Sequence, residues 1–263
     1  MSQQKIIFQS LEDFQKSDKN DLIHIGLKFS QFKVDSQELI QISSQIALCT
    51  EIQSFSLDLQ SQNIQDEQIK LLMDDLPAFK KLNDFQLYLN RNDIQDDGAQ
   101  VIGRVLLHNY MNLTSLQLSF YSNNICDRGA QLIATGLSKC TQLASLNFNF
   151  FSNFIGDEGV YEIGTALRNC KNLVALILYL DDNNITDEGY LKFDQCIQEL
   201  PKLSTFQCFL KQSEKLLKSR DLVNCKNIKV LTLSLYYCKL RVHKIYHKQK
   251  ALKIKRLVKL SLN

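Results

Sequence analysis

NNITDEG, residues 183–189, is the stretch on which the fold turns. Taken alone, it offers two Asn, an Asp, a Glu and a Gly that could wrap a cation. It is not alone. FIGDEG stands at 154–159, NICDRG at 124–129 and DIQDDG at 93–98, while NIQDEQ at 63–68 keeps the Asp and loses the Gly. A motif that returns on a fixed period reports architecture first, because stacked copies of one supersecondary unit need the same residue at the same place.

With the Asn of each loop as position zero, Asn92, Asn123, Asn153 and Asn183 align, and Gln62 holds the place one copy earlier. An Ile follows two residues later each time: Ile64, Ile94, Ile125, Ile155 and Ile185. Upstream, apolar residues occupy minus ten, seven, five and three, as in Leu143, Leu146, Phe148 and Phe150, so the period is 30 to 31. The alternation predicts a strand with one buried face. After the Asp, spacings such as Ala130, Ile133 and Leu137 predict a helix. Gly103, Ala134 and Gly164 share a column, which predicts close approach of the helix to the strand layer. Degraded copies extend from Leu22 to Leu240, and Leu257, Leu260 and Leu262 begin a ninth copy.

This pattern resembles the leucine-rich repeat family, whose short form reads L-x-x-L-x-L-x-x-N/C-x-L. The segment ITDEGYLKFDQCI (185–197) is similar to the ribonuclease-inhibitor-like subclass. One departure is an extra apolar/polar pair, giving L-x-x-L-x-L-x-L-x-x-N and predicting either a longer strand or a bulge. The resemblance implies an α/β leucine-rich-repeat solenoid, a horseshoe with a parallel sheet on its concave side and helices on its convex side. Residues 22–263 form the repeats in this reading, about eight plus the incomplete ninth. Residues 1–21 form an N-terminal helical cap, with Ile6, Ile7, Phe8, Leu11 and Phe14 on a helix over 5–16. The sheet edge at the ninth copy would need cover from the basic segment, from another chain or from further sequence.

The acidic loops then have a structural role. Asp66, Asp96, Asp127, Asp157 and Asp187 each precede a helical pattern and are expected to cap it by accepting hydrogen bonds from its free N–H groups. Glu67, Asp97, Glu158 and Glu188 fall in the first turn, where the helix dipole favours negative charge. The spacing of a calcium loop is missing. The Asn column is expected to hydrogen-bond backbone groups as a ladder. Cys49, Cys140, Cys170 and Cys225 share a column with Phe79, Tyr110 and Leu200, which marks a buried apolar position and argues against zinc. Cys126 breaks that pattern and is expected to be exposed and reactive.

Catalysis finds little footing. His24, His108, His243 and His247 form no recognisable triad, and no phosphate-binding glycine loop is present. His243 and His247 lie four apart, a spacing better suited to a helix surface than to a metal site without the HExxH context. No catalytic, cofactor-binding or metal-ligating residue is expected, and no small-molecule substrate. Only Pro77 and Pro201 interrupt the chain, so one continuous unit is expected. The longest apolar run, LVALILYL at 173–180, is far too short for a membrane span. Eight Cys without a signal-peptide core point to a reducing, cytoplasmic setting.

What remains are the surfaces. Between the buried apolar columns, positions minus four and minus two face the concave side. Tyr88, Tyr179 and Phe209 lie at minus four; Tyr121, Phe151, Asp181, Lys211 and Tyr236 lie at minus two. Tyr121 is expected beside Phe151, and Tyr179 beside Phe209. These residues are the candidate partner-binding set, since rigid aromatic patches suit protein recognition. The expected function is a non-catalytic protein–protein interaction scaffold with an unknown protein partner. The resemblance also admits regulation of a small GTPase, in the manner of GTPase-activating relatives. The net charge of +3 hides an asymmetry: residues 222–263 hold eleven Lys/Arg and no acids, leaving 20 against 28, or −8, before them. Any contact with nucleic acid or an anionic membrane would fall to that basic end.

Overall fold

Each repeat alternates a short segment, mostly Leu or Phe at every second position, with an amphipathic one, and neither can bury its apolar face alone. In the computed structural model, which describes residues 4–31, 33–73, 79–109, 112–211 and 227–236, the copies solve this by stacking. Nine strands lie in one sheet in sequence order, every neighbouring pair parallel. They are β1 (Ile6–Phe8), β2 (His24–Lys28), β3 (Ser54–Asp58), β4 (Asp84–Tyr88), β5 (Ser115–Ser119), β6 (Ser145–Asn149), β7 (Ala175–Tyr179), β8 (Thr205–Lys211) and β9 (Val230–Tyr236). The helices are α1 (Leu11–Lys16), α2 (Ser36–Ala47), α3 (Asp66–Met73), α4 (Asp96–Asn109), α5 (Asp127–Leu137), α6 (Asp157–Leu167) and α7 (Asp187–Ile197). Successive helices touch one another, so they cover one side of the sheet and leave the other open. This is a leucine-rich-repeat α/β solenoid.

The expected apolar columns are the core. Phe55, Phe85, Leu116, Leu146, Leu176 and Phe206 are buried in register, as are Leu57, Leu87, Leu118, Phe148, Leu178 and Cys208. Burying one such side chain contributes about 1.5–3 kcal/mol. The aromatic members stack along the solenoid, with Phe55 on Phe85 at 5.8 Å and Phe120 on Phe150 at 5.4 Å. Cys49, Cys140 and Cys170 are buried in their column. Cys225, His243, His247 and the ninth copy from Leu257 lie outside the described residues.

The N-terminus departs from expectation. A helix does not run over 5–16. Ile6–Phe8 is instead a strand that adds to the sheet beside β2, pairing Ile6 with Ile25 and Phe8 with Leu27. Only Leu11–Lys16 is helical, started by Ser10, whose side chain accepts from the Asp13 N–H. Two consecutive Ile and a Phe satisfy strand pairing better than a short helix, and β2 would otherwise present its unpaired edge.

The extra apolar/polar pair resolves into neither a longer strand nor an insertion bulge through most of the sheet. Strands β3 to β7 stop at minus four. At minus one, Ser61, Arg91, Ser122, Ser152 and Asp182 all take a left-handed backbone, φ between 55 and 59°. That turn keeps the ladder going: Arg91 N–H donates to Tyr121 C=O, Ser122 to Phe151 and Ser152 to Asp181. A non-glycine residue in this region is strained, so neighbouring copies must hold it there. Only β8 and β9 stay regular through minus two, pairing Lys211 with Tyr236.

Candidate interaction face

Two ladders that bind each repeat to the next position this face. The Asn ladder is as expected. Asn153 Nδ2 donates to Phe120 O at 2.8 Å and Phe150 O at 3.1 Å, and its Oδ1 accepts from Ile125 N–H at 3.1 Å. Asn92, Asn123 and Asn183 repeat the arrangement, and Gln62 reproduces it toward Val34 and Phe29.

The Asp ladder corrects the capping expectation. Each Asp begins its own helix as the first helical residue, and Asp66, Asp96, Asp127 and Asp157 accept from the following repeat. Asp127 Oδ1 takes Gly156 N–H at 2.5 Å and Gly159 N–H at 3.0 Å, thereby capping α6 rather than α5. Asp66 accepts from Gln95 N–H, Asp96 from Cys126 N–H, and Asp157 from both Thr186 N–H and Thr186 Oγ1. This is why a Gly follows in each loop. A Cβ on Gly159 would lie 2.6 Å from Asp127 Oδ1 and 3.0 Å from its Cα. Gln68 escapes the constraint because Ser36, not Asp, precedes it one repeat back, with Gln68 Nε2 3.5 Å from its hydroxyl. The Gly103 column needs a second correction. A Cβ there would meet the Leu132 and Ile133 backbone of α5, so small residues admit the neighbouring helix rather than the sheet.

Cys126 is exposed, as expected, but its reactivity is restrained. Partial burial and the Asp96 and Asp127 carboxylates raise its pKa. Burial pushes Cys140 and Cys170 up to about 12, so both stay as thiols. Among the described residues, no group of three or more His, Cys, Asp or Glu is placed to hold a metal ion.

The open face itself has two unlike halves. Toward β7 and β8 it is aromatic. Tyr179 and Phe209 stack at 4.3 Å with planes 8° apart, and Tyr121 and Phe151 sit 5.1 Å apart, tilted by 50°. All four are half-buried, and the Arg91 guanidinium lies 5.5 Å from the Tyr121 ring. Both pairs were legible as neighbours in the repeat register. Arg91 was not, since it stands in the left-handed column.

Toward β2 to β5 the face is polar and internally bonded. Ser30 Oγ donates to Asp58, Gln60 Nε2 donates to Asp58 at 2.9 Å, Asn90 Nδ2 donates to Gln60 at 2.7 Å, and Ser119 Oγ donates to Asn90 at 2.6 Å. A second chain joins Ser54 Oγ and Gln86 Nε2 to Asp84, and Tyr88 Oη to Gln86. Burial, Asp58 and Asp84 together raise the pKa of Tyr88. Tyr88 thus belongs to the polar half. Asp181 does not share the surface: it is buried at 4% exposure. Lys211 and Tyr236 face each other in backbone register, and their side chains lie outside the described residues.

A family match agrees with this architecture. The family described as Leucine Rich repeat matches residues 86–103 and 176–193, each match spanning a strand, a loop and the start of a helix. Those two segments are leucine-rich repeats, and the other described copies follow the same strand–loop–helix plan. No curated protein matches the sequence. Among solved structures, a chain of the yeast Rad7 and Elc1 complex is similar, with 12% identity over 96% of this chain and 72% of that one and a TM-score of 0.36. A likeness at that level carries nothing about partners.

Proposed function

We propose that the chain is a non-catalytic scaffold that binds a protein partner on the open, concave face of its sheet. The observation that carries this is the pair of half-buried aromatic contacts, Tyr121–Phe151 and Tyr179–Phe209, fixed on adjacent strands of a rigid sheet. Aromatic side chains offer large contact area at little conformational cost, and here much of that cost is already met by stacking. A helix after each of the strands β2 to β7 and the period of 30 to 31 residues support the ribonuclease-inhibitor-like subclass. Eight Cys favour an intracellular, reducing setting, and no described helix is long and apolar enough to cross a membrane.

The test compares the chain with a Tyr179→Ala/Phe209→Ala variant. Partners captured from the native cell are identified by mass spectrometry, then re-examined with the purified partner by calorimetry. A loss of tenfold or more in affinity, with melting behaviour preserved, is the expected result. Unchanged affinity in a folded variant would move the interface off this face.

A further inference from the structure

The two halves of the open face ask for two chemistries in one ligand. Asp58 and Asp84 sit among half-buried neighbours, and every donor described for either carboxylate is neutral: Ser30, Ser54, Gln60 and Gln86. A half-desolvated carboxylate with only neutral donors gains most from a cation brought to it. The cations beside these carboxylates are Lys28, which pairs with Asp58 in backbone register, and Lys5, which lies across Gly26, 3.4 Å from where a Cβ there would stand, and interacts electrostatically with Asp84. The missing side chain of Gly26 leaves it room, so Lys5 partly fills the place a ligand's cation would take. At the other end, Tyr121, Phe151, Tyr179, Phe209 and Ile177 supply an apolar platform.

We propose that this face takes an extended segment of a partner protein that carries an aromatic or large aliphatic anchor and a Lys or Arg set apart from it. The proposal rests on the concave-face reading above and specifies its ligand. Charge complementarity at Asp58 and Asp84 selects a basic residue. The same carboxylates disfavour nucleic acid, although aromatic stacks alone would suit bases. The spacing follows from the sheet. Asp58 and Tyr121 are two strands and two register positions apart, and Asp58 and Tyr179 are four strands apart in register, about 12 to 19 Å at a strand separation of about 4.8 Å and a rise of about 3.3 Å per residue. An extended chain rising about 3.3 Å per residue covers that distance in roughly four to six residues.

The experiment uses the full chain and fluorescent twelve-residue peptides in a Gly/Ser background, each with one Phe and one Arg separated by two to eight positions. Matched peptides carry Glu for Arg, and a labelled single-stranded oligonucleotide serves as the nucleic-acid probe. Anisotropy titrations should show best binding at separations of about four to six, with the Arg peptides at least tenfold tighter than their Glu partners. Asp58→Asn with Asp84→Asn should erase that preference, Lys5→Ala should strengthen Arg-peptide binding, and Tyr179→Ala/Phe209→Ala should weaken every peptide. If Phe peptides bind through Tyr179 and Phe209 but ignore Arg against Glu, the basic-residue inference fails while the concave reading stands. Peptide binding indifferent to Tyr179 and Phe209 sinks the concave reading itself. Absence of peptide binding, or preferential binding of the oligonucleotide, overturns the inference.

Discussion

At the scale of single residues, the loops of this protein show a carboxylate working for its neighbour. Asp157 holds Thr186 N–H and hydroxyl at 2.6 Å each, across the repeat boundary. Asp157→Ala should therefore lower stability by about 0.5–2 kcal/mol, and millimolar Ca²⁺ should leave the melting temperature of the parent unchanged; a marked calcium-dependent rise would restore a metal role for the loops. The Asp–Gly contact makes a sharper prediction. Gly159→Ala should destabilise by about 1–3 kcal/mol through overpacking, and part of that loss should vanish when Asp127→Ala removes the obstructing carboxylate. A double-mutant cycle measured by urea unfolding should give a coupling of about 0.5–3 kcal/mol, and strict additivity would refute the contact. Cys126 extends the same electrostatics: Asp96→Asn keeps an acceptor for Cys126 N–H, removes a charge that raises the thiol pKa, and should speed thiol labelling at neutral pH.

At the scale of elements, the N-terminal β1–α1 unit depends on a buried cation. Lys19 is 9% exposed, and its Nζ donates to Phe14 O at 2.5 Å, Ser17 O at 2.9 Å and Gln15 O at 3.1 Å. It also lies 4.9 Å from the Phe14 ring centroid. A Lys at a helix C-terminus satisfies carbonyls that have no intrahelical donor. Phe14 O also accepts from Ser17, so Lys19→Met should deprive Gln15 O and Ser17 O of their Lys19 donor, cost about 1–3 kcal/mol and release β1 from the sheet. Hydrogen exchange should show the Ile6–Phe8 amides losing protection before those of β5 and β6; uniform loss across the sheet would contradict a local role. Sequence patterning missed β1 because the stretch is shorter than one repeat and carries no column to align.

At the scale of the whole molecule, the buried thiol column ties stability to pH. Burial pushes Cys49 up to about 11 and Cys140 and Cys170 up to about 12, from an ordinary 9.0. The folded chain therefore keeps these protons after the unfolded chain has released them. Their contribution is whole below about pH 9 and is lost as pH rises toward 12. The melting temperature should fall progressively above pH 9, and Cys140→Ala with Cys170→Ala should flatten that slope. A melting temperature indifferent to pH in both proteins would deny the thiols this role.

The sequence by itself determined the period, the columns, the parallel order of the strands and the neighbours on the open face. Each repeat meets only the next, so residues thirty apart become contacts by register alone. Tyr179 and Phe209 could be paired from their positions because nothing intervenes between their strands. What depended on geometry normal to the register could be settled only by tertiary structure. The Asp residues read as caps for their own helices, yet the offset between stacked helices aims each carboxylate at the next one. Asp181 read as surface, yet the structure buries it. The strained turn at Ser61, Arg91, Ser122, Ser152 and Asp182 carries no Gly to announce it, because neighbouring copies impose that conformation through hydrogen bonds the local sequence does not contain.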